Sequence, residues 1–226
     1  MPLRTPHKRA LVAGGTGRVG TAIVERLRAE GWAVVSAGRA DGDLRTKAGA
    51  ASLVSNAIDE LGGLELVVHA AGGGFTPKPI EEVTEEDWDA AMDVTAKGTF
   101  FLAQSVATPL RESKGTLVIL EDVASFQAWP SFAAHCAAKA AQAMLTRVLA
   151  RALAPDVRVC GIAPGTVAVD AGQEPRRAAE TLLGRIGKPQ DIADAVIFLA
   201  GADFVTGTTL VVDGGRLLKT GGGTGP

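Results

Sequence analysis

The sequence predicts an α/β fold built on a doubly wound parallel sheet of about seven strands, with helices layered on both faces. Three features carry this. Short runs rich in Val, Leu, Ile and Ala alternate along the chain with longer segments of helical period. The runs are apolar nearly throughout, as strands covered on both faces are. The first run leads directly into a glycine-rich turn, residues 14–20, that opens a helix.

Residues 10–13 read as the first strand. Residues 18–30 form a helix with Val19, Ile23, Val24 and Leu27 on one face, stopped by Gly31. Residues 33–37 are the second strand, 46–61 the second helix and 64–69 the third strand. Thr84 and Asp87 form a capping box that opens a long helix to about Arg111. A strand follows at 116–120, then an Ala-rich helix at 131–154 ended by Pro155. The strand 157–162 runs into Ala163-Pro164-Gly165, and a helix at 189–200 precedes the last strand at 208–212. With no repeat or internal linker, a single domain is expected, with its core over 9–215 and a flexible tail at 216–226, Gly-rich from Thr220.

Composition narrows the function classes. The chain has 226 residues, 46% of them apolar, enough for one sizeable core. A net charge of −2 argues against nucleic acid or an anionic membrane as partner. No apolar run approaches the roughly 20 residues of a membrane span. The N-terminal stretch lacks an apolar signal region with a cleavage site, so a soluble cytoplasmic protein is expected. The two cysteines, Cys136 and Cys160, have no metal-type spacing and read as small hydrophobes. No metal site is expected.

The turn carries the first functional signal. Gly14, Gly17 and Gly20 have the spacing for a tight turn, a close backbone approach to a pyrophosphate and close helix packing, with Thr16, Arg18 and Val19 between them. The free N–H groups of the helix that follows suit an anion. This is a Rossmann dinucleotide site by context. The second strand ends Ser36-Ala37-Gly38-Arg39, with a cation rather than the acid that holds a ribose 2′-hydroxyl. Arg39, with Arg18 as a second cation, suits a 2′-phosphate, so NADP(H) is favoured over NAD(H); surface arginines without a ligand are the other reading. Asp43, followed by Leu44, suits the adenine amino group or a solvated loop.

Taken together, these features resemble the compact one-domain branch of the short-chain dehydrogenase/reductase family, over about 9–215. His69-Ala70-Ala71-Gly72 is similar to its Asn-Asn-Ala-Gly segment, and residues 88–100 (WDAAMDVTAKGTF) to its central helix. His135-x-x-x-Lys139 takes the place of Tyr-x-x-x-Lys, and Pro164-Gly165 and residues 204–215 fit its later strands. The resemblance implies cofactor contacts from Ala70, Ala71, Gly72, Lys139, Pro164, Gly165 and Val167. Arg18 stands where the family usually has Gly, as in its pteridine-reductase-like members, which use NADPH.

The family's catalytic Asn, Ser, Tyr and Lys match Thr95, Asp122, His135 and Lys139. Only the lysine is kept, and the chain contains no tyrosine. Residues 121 and 122 are both acids, and Ser125 lies three positions beyond. Two readings stay open. In one, His135 is the proton donor, since its ordinary pKa of about 6.5 is nearer neutrality than tyrosine's roughly 10, and Asp122 orients it. In the other, ionised Asp122 beside Glu121 repels charge growing on a carbonyl oxygen, where losing one donor costs about 2.7–4 kcal/mol. The dinucleotide then serves a structural, regulatory or non-redox (lyase or isomerase) role. Cys136 adjoins His135, but neighbouring helix residues project about 100° apart, so it reads as packing.

On the substrate side, Gly73, Gly74, Phe75, Phe126 and Trp129 are expected near the pocket mouth. Trp129 either stacks on a flat substrate or packs. Arg176 and Arg177 sit at a solvated helix start or meet an anion, and Val169 stands near a position where the family often has Thr. The resemblance implies that the helices at 84–111 and 131–154 pair across a two-fold axis, with Leu217 and Leu218 in a second interface. A small-molecule substrate and a homodimer or homotetramer are expected.

Overall fold

The computed structural model describes residues 8–73, 76–167 and 172–219. The expectations for Gly74, Phe75, Val169 and the stretch 220–226 lie outside the described residues. The strands are β1 (Arg9–Ala13), β2 (Ala33–Ala37), β3 (Leu66–His69), β4 (Thr116–Leu120), β5 (Arg158–Pro164) and β6 (Thr209–Val212). They pair in the order β2-β1-β3-β4-β5-β6, every pair parallel. The sheet thus has six strands among the described residues, close to the seven expected, because each apolar run supplies one. The stretch 38–46 after β2 is polar or glycine apart from Ala40 and Leu44 and forms turns, which leaves β2 at the edge.

The helices are α1 (Arg18–Ala29), α2 (Lys47–Leu61), α3 (Glu85–Met92), α4 (Gly98–Ser113), α5 (Ala133–Leu153), α6 (Glu174–Ala178) and α7 (Pro189–Gly201). Side chains alternate across each strand and so feed two cores. Ala10, Val12, Leu66, Val68, Val118 and Ile162 pack with Ile23 and Leu27 of α1 and Ile192, Val196 and Leu199 of α7. Leu11, Ala13, Val67, Leu117, Ile119 and Val159 pack with α2, α4 and α5. Each buried Leu or Ile is worth about 1.5–3 kcal/mol relative to exposure, so the two layers are what hold the sheet flat against its helices. No helix among the described residues is long and apolar enough to cross a membrane.

Local chemistry sets the helix ends. Thr46 caps α2 by accepting from Gly49 N at 3.0 Å. Thr84 and Asp87 form the reciprocal capping box at α3. The long helix expected from there to about residue 111 is interrupted. A wide π-turn, Asp93–Lys97, separates α3 from α4. From the first turn of α4 the Thr99 hydroxyl donates back to the Thr95 carbonyl at 2.6 Å, a side-chain bond that competes with the helix ladder. Gly31, at φ +81, lets the chain leave α1. At the other end of the chain, residues 216–219, counted with the tail in the sequence, are placed: Arg216–Leu218 form a short 3-10 turn.

The strand order changes direction of travel between β1 and β3. In doubly wound sheets the crevice for a ligand opens at that switch, beyond the carboxyl ends of the strands.

Candidate functional site

The 14–20 turn follows β1 at this crevice. Gly14 has φ +89, and a Cβ there would stand 2.4 Å from Ala71 N, so the turn admits only glycine. A Cβ at Gly20 would lie 2.1 Å from the Gly14 carbonyl oxygen, which is why α1 can pack so closely on its own turn. Gly17 differs: a Cβ there would meet no protein atom nearer than 3.5 Å. Its bareness serves nothing inside the protein and leaves room for a ligand to approach the backbone. The first bond of α1 runs from Thr21 N to Gly17 O, so the N–H groups of Arg18, Val19 and Gly20 point out of the helix end. The first turn of α1 holds no acidic residue. These features fit a pyrophosphate.

A cleft of about 500 Å³ opens beside the turn. Gly14, Thr16, Gly17, Arg39, Asp43, Leu44, Ala70, Ala71 and Gly72 line it, together with Arg45 and Gly73. The structure therefore brings together most of the residues expected at a dinucleotide. Arg18 is exposed at the start of α1 and is not among the residues lining the cleft. Pro164, Gly165 and Val167 do not line it either. They stand at the end of β5, where Gly165 N donates to Val212 O at 3.0 Å and Val167 bridges to Gly187.

Two charged residues here escaped the sequence reading. Arg45 binds Asp43 bidentately, and it is the chief reason the Asp43 carboxyl is held down at about 2. Arg39 Nε lies 3.8 Å from the same carboxylate. Asp41 folds back so that Gly38 N donates to its Oδ2 at 2.8 Å, which places an acid at the end of β2 after all. It does not line the cleft, whereas both arginines do. The signal for Arg45 was the Asp-Leu-Arg spacing; nothing in the sequence marked the fold-back of Asp41.

The second group of residues gathers at the ends of β4 and α5. Asp122 leaves β4 and caps the 3-10 turn Val123–Ser125, its Oδ1 accepting from Ala124 N at 2.8 Å. His135 lies in the first turn of α5, and its Nε2 stands 3.5 Å from Asp122 Oδ2. His135 is 9% exposed and borders a cleft of about 270 Å³, lined also by Thr76, Lys78, Asp87, Ala90, Ser131 and Phe132. Ala90 lines both this cleft and the larger one, so the two adjoin.

Lys139 is turned inward. It is 7% exposed, and its Nζ donates to Leu120 O at 2.9 Å and to Gln142 Oε1 at 2.8 Å. Burial pulls its pKa down to about 8, against the opposing pull of Asp122 and Glu121. Gln142 Nε2 donates onward to Thr99 Oγ1 at 2.8 Å, so a buried chain of side chains links Lys139 to the carbonyl of Thr95. Thr95 itself is buried in the π-turn. The Ser125 hydroxyl donates to the Lys139 carbonyl at 3.0 Å and is committed there.

Glu121 does not stand beside Asp122 as expected. Adjacent residues leaving a strand point to opposite sides. Glu121 is buried, accepts from Thr146 Oγ1 at 2.6 Å and lies over Gly161, where a Cβ would come within 2.0 Å of its Oε1. Burial pushes its carboxyl up, which favours the neutral acid. Of this pair only Asp122 approaches His135.

Trp129 packs rather than opening onto a ligand: it is buried, with Arg216 5.0 Å above its ring centroid and Phe132 edge-on at 6.1 Å. Phe126 is exposed. Arg177 pairs with Glu180. Leu217 packs on the Trp129 group within its own chain, unlike exposed Leu218. Cys160 is buried and Cys136 packs half-buried beside Phe132. No group of His, Cys, Asp and Glu among the described residues is placed to hold a metal ion.

The chain matches the family model described as Enoyl-(Acyl carrier protein) reductase over residues 15–216. The chain belongs to the short-chain dehydrogenase/reductase family. It is 32% identical over 249 residues to 3beta-hydroxysteroid dehydrogenase 1 of Eggerthella lenta, covering 95% of each chain. It is 31% identical over 243 residues to L-xylulose reductase of Bos taurus, covering 96% of this chain and 99% of that one. The solved short-chain dehydrogenase/reductase from Serratia marcescens matches with a TM-score of 0.86 at 29% identity, covering 93% of this chain and 99% of its own. Nicotinamide dinucleotides are the cofactors of short-chain dehydrogenases/reductases, small molecules are their substrates, and the chain is an oxidoreductase by family.

Proposed function

We propose that this short-chain dehydrogenase/reductase reduces a small carbonyl compound, or oxidises the matching alcohol, with NADP(H) and with His135 as its proton donor and acceptor. The observation that carries this is His135, which lines a cleft adjoining the glycine-turn cleft and stands 3.5 Å from Asp122. The preference for NADP(H) rests on Arg39 and Arg45 lining the dinucleotide cleft at the end where β2 stops.

The bound nicotinamide supplies or takes up the hydride. The protein's part is to hold and move one proton. In reduction, a protonated His135 gives its proton to the carbonyl oxygen as negative charge develops there. In oxidation, the neutral imidazole takes the hydroxyl proton. Asp122, whose Oδ2 stands 3.5 Å from Nε2, orients the ring. General acid–base help of this kind is typically worth about 10²–10⁴-fold. The turn 14–20 and the first N–H groups of α1 would hold the pyrophosphate, with Ala70, Ala71 and Gly72 lining the same cleft.

A second reading, dinucleotide binding without turnover, draws support from one observation. Lys139 donates to Leu120 O and Gln142, so two of its three protons are committed inside the protein. We also place the protein in the cytoplasm as a homodimer or homotetramer: Phe100, Met144 and Val148 expose 45%, 53% and 52% on α4 and α5, an apolar face suited to a second copy.

The test is a titration with NADPH and NADH followed by a turnover panel of carbonyl and alcohol substrates. NADPH binding with turnover of at least one substrate is expected. A Kd above about 1 mM for both dinucleotides overturns the reading; binding without any turnover selects the second.

A further inference from the structure

We propose that Arg216 couples the loop after β5 to the Asp122–His135 pair, acting as a positioning residue for the acid and base. This inference rests on the function proposed above. Arg216 reaches three separate parts of the chain from one guanidinium. Its Nη1 donates to Thr166 Oγ1 at 2.8 Å. Its Nη2 stands 3.3 Å from Glu180 Oε2, just beyond α6. Its Cζ lies 5.0 Å above the Trp129 ring, with 10% of the side chain exposed. A largely buried guanidinium must keep its hydrogen bonds and charge partners, so it fixes all three neighbours relative to one another.

The segment carrying Arg216 is itself anchored. The Asp213 carboxylate accepts from Gly215 N at 2.8 Å and from Leu217 N at 2.7 Å. Gly214 and Gly215, at φ +64 and +81, make the reversal that aims the guanidinium inward.

What Arg216 braces is the framework of the proposed acid/base pair. Val123, Ala124, Trp129 and Phe132 form one small core, with Leu217 packed on it. Ala124 N is the donor that holds Asp122 Oδ1, and Phe132 caps the helix that begins two residues before His135. The turns carrying Asp122 and His135 therefore meet in this core, and the cation over Trp129 closes it. On the opposite side, Thr166 lies between Gly165 and Val167, which the family resemblance assigns to the cofactor. Arg216 thus ties that loop through one side chain to the core that carries Asp122 and His135.

The experiment uses ¹³C-histidine-labelled protein, in which there are three histidines to resolve. The His135 ring signal is followed on saturation with NADPH in wild type, in Arg216→Met, which keeps apolar bulk over Trp129, and in Thr166→Val, which removes only the link to the loop. Wild type should show a clear shift. Both variants should still bind NADPH, with Kd changed by less than about twofold, yet lose at least about half of that shift and about fivefold in kcat. If Arg216→Met does not fold, Thr166→Val decides alone. A full shift and full kcat in Thr166→Val with NADPH bound overturn this inference and leave the proposed function standing, as does a wild-type His135 signal that does not respond to bound NADPH. Absence of NADPH binding by wild type overturns both.

Discussion

His135 Nε2 stands 3.5 Å from Asp122 Oδ2, although one residue follows β4 and the other opens α5. The crossover between neighbouring parallel strands brings them together, and the Ala124 N–H holds the carboxylate in place. If Asp122 orients the imidazole, Asp122→Asn should lower kcat by about 10–100-fold while the Kd for NADPH stays within about twofold. Steady-state rates and a binding titration on the same preparation check this. An unchanged kcat would remove Asp122 from the mechanism.

Arg39 borders the dinucleotide cleft, exposed and within 3.8 Å of Asp43. Arg39→Asp replaces a cation that suits a 2′-phosphate with an anion that suits a 2′-hydroxyl. NADPH affinity should fall by about tenfold or more, with NADH affinity held or improved. Parallel titrations measure it, and equal losses for both dinucleotides reject the 2′-phosphate role.

The glycines of the turn should separate folding from binding. Gly20→Ala puts a Cβ 2.1 Å from the Gly14 carbonyl oxygen, so it should destabilise the fold by about 1–3 kcal/mol. Gly17→Ala meets nothing nearer than 3.5 Å, so its Tm should match wild type while dinucleotide affinity falls by about tenfold. Thermal melts with and without NADPH give both numbers. A Gly17→Ala protein that binds normally would mean that the ligand does not approach this backbone.

His69 makes the stability sensitive to acid. It is fully buried at the end of β3, and neither ring nitrogen has a hydrogen-bond partner among the described residues. Burial first, and the nearby Lys139 charge second, hold its pKa at about 3. The unfolded chain takes up this proton near pH 6.5, well before the folded one does. The stabilising contribution is therefore complete above pH 6.5 and drains as pH falls toward 3, by up to about 1.4 kcal/mol per pH unit. His69→Leu should lose this slope, so the stability of the variant minus that of wild type should rise as pH falls below 6.5 and stay constant above it. Denaturant melts across pH 4–8 test it; parallel curves would show that His69 does not titrate this way.

Much of the fold was legible because its signals are local. Apolar runs covered on two faces gave the strands, and Thr84 with Asp87 gave a helix start that the structure reproduces in detail. The turn 14–20 was legible because Gly14, at φ +89, and Gly20, packed on the Gly14 carbonyl, need glycine at those positions. The π-turn at Asp93–Lys97 was not, since the apolar periodicity runs through it without a break and no Gly or Pro marks it. That the Lys139 amine donates to Gln142, three residues along the same helix, was not legible, because no motif marked it. Glu121 and Asp122 were read as a pair of acids; the pleat of the strand parts them. Arg216, Trp129 and Glu180 meet only in three dimensions, so their contact had no sequence signature.

The proton of the proposed NADP(H)-dependent reaction is assigned to His135. The most direct test is His135→Phe, assayed for NADPH binding and for turnover of the best substrate of the panel in the same samples. NADPH should bind with wild-type affinity while turnover falls by about 10²-fold or more. Wild-type turnover in His135→Phe would show that another group moves the proton.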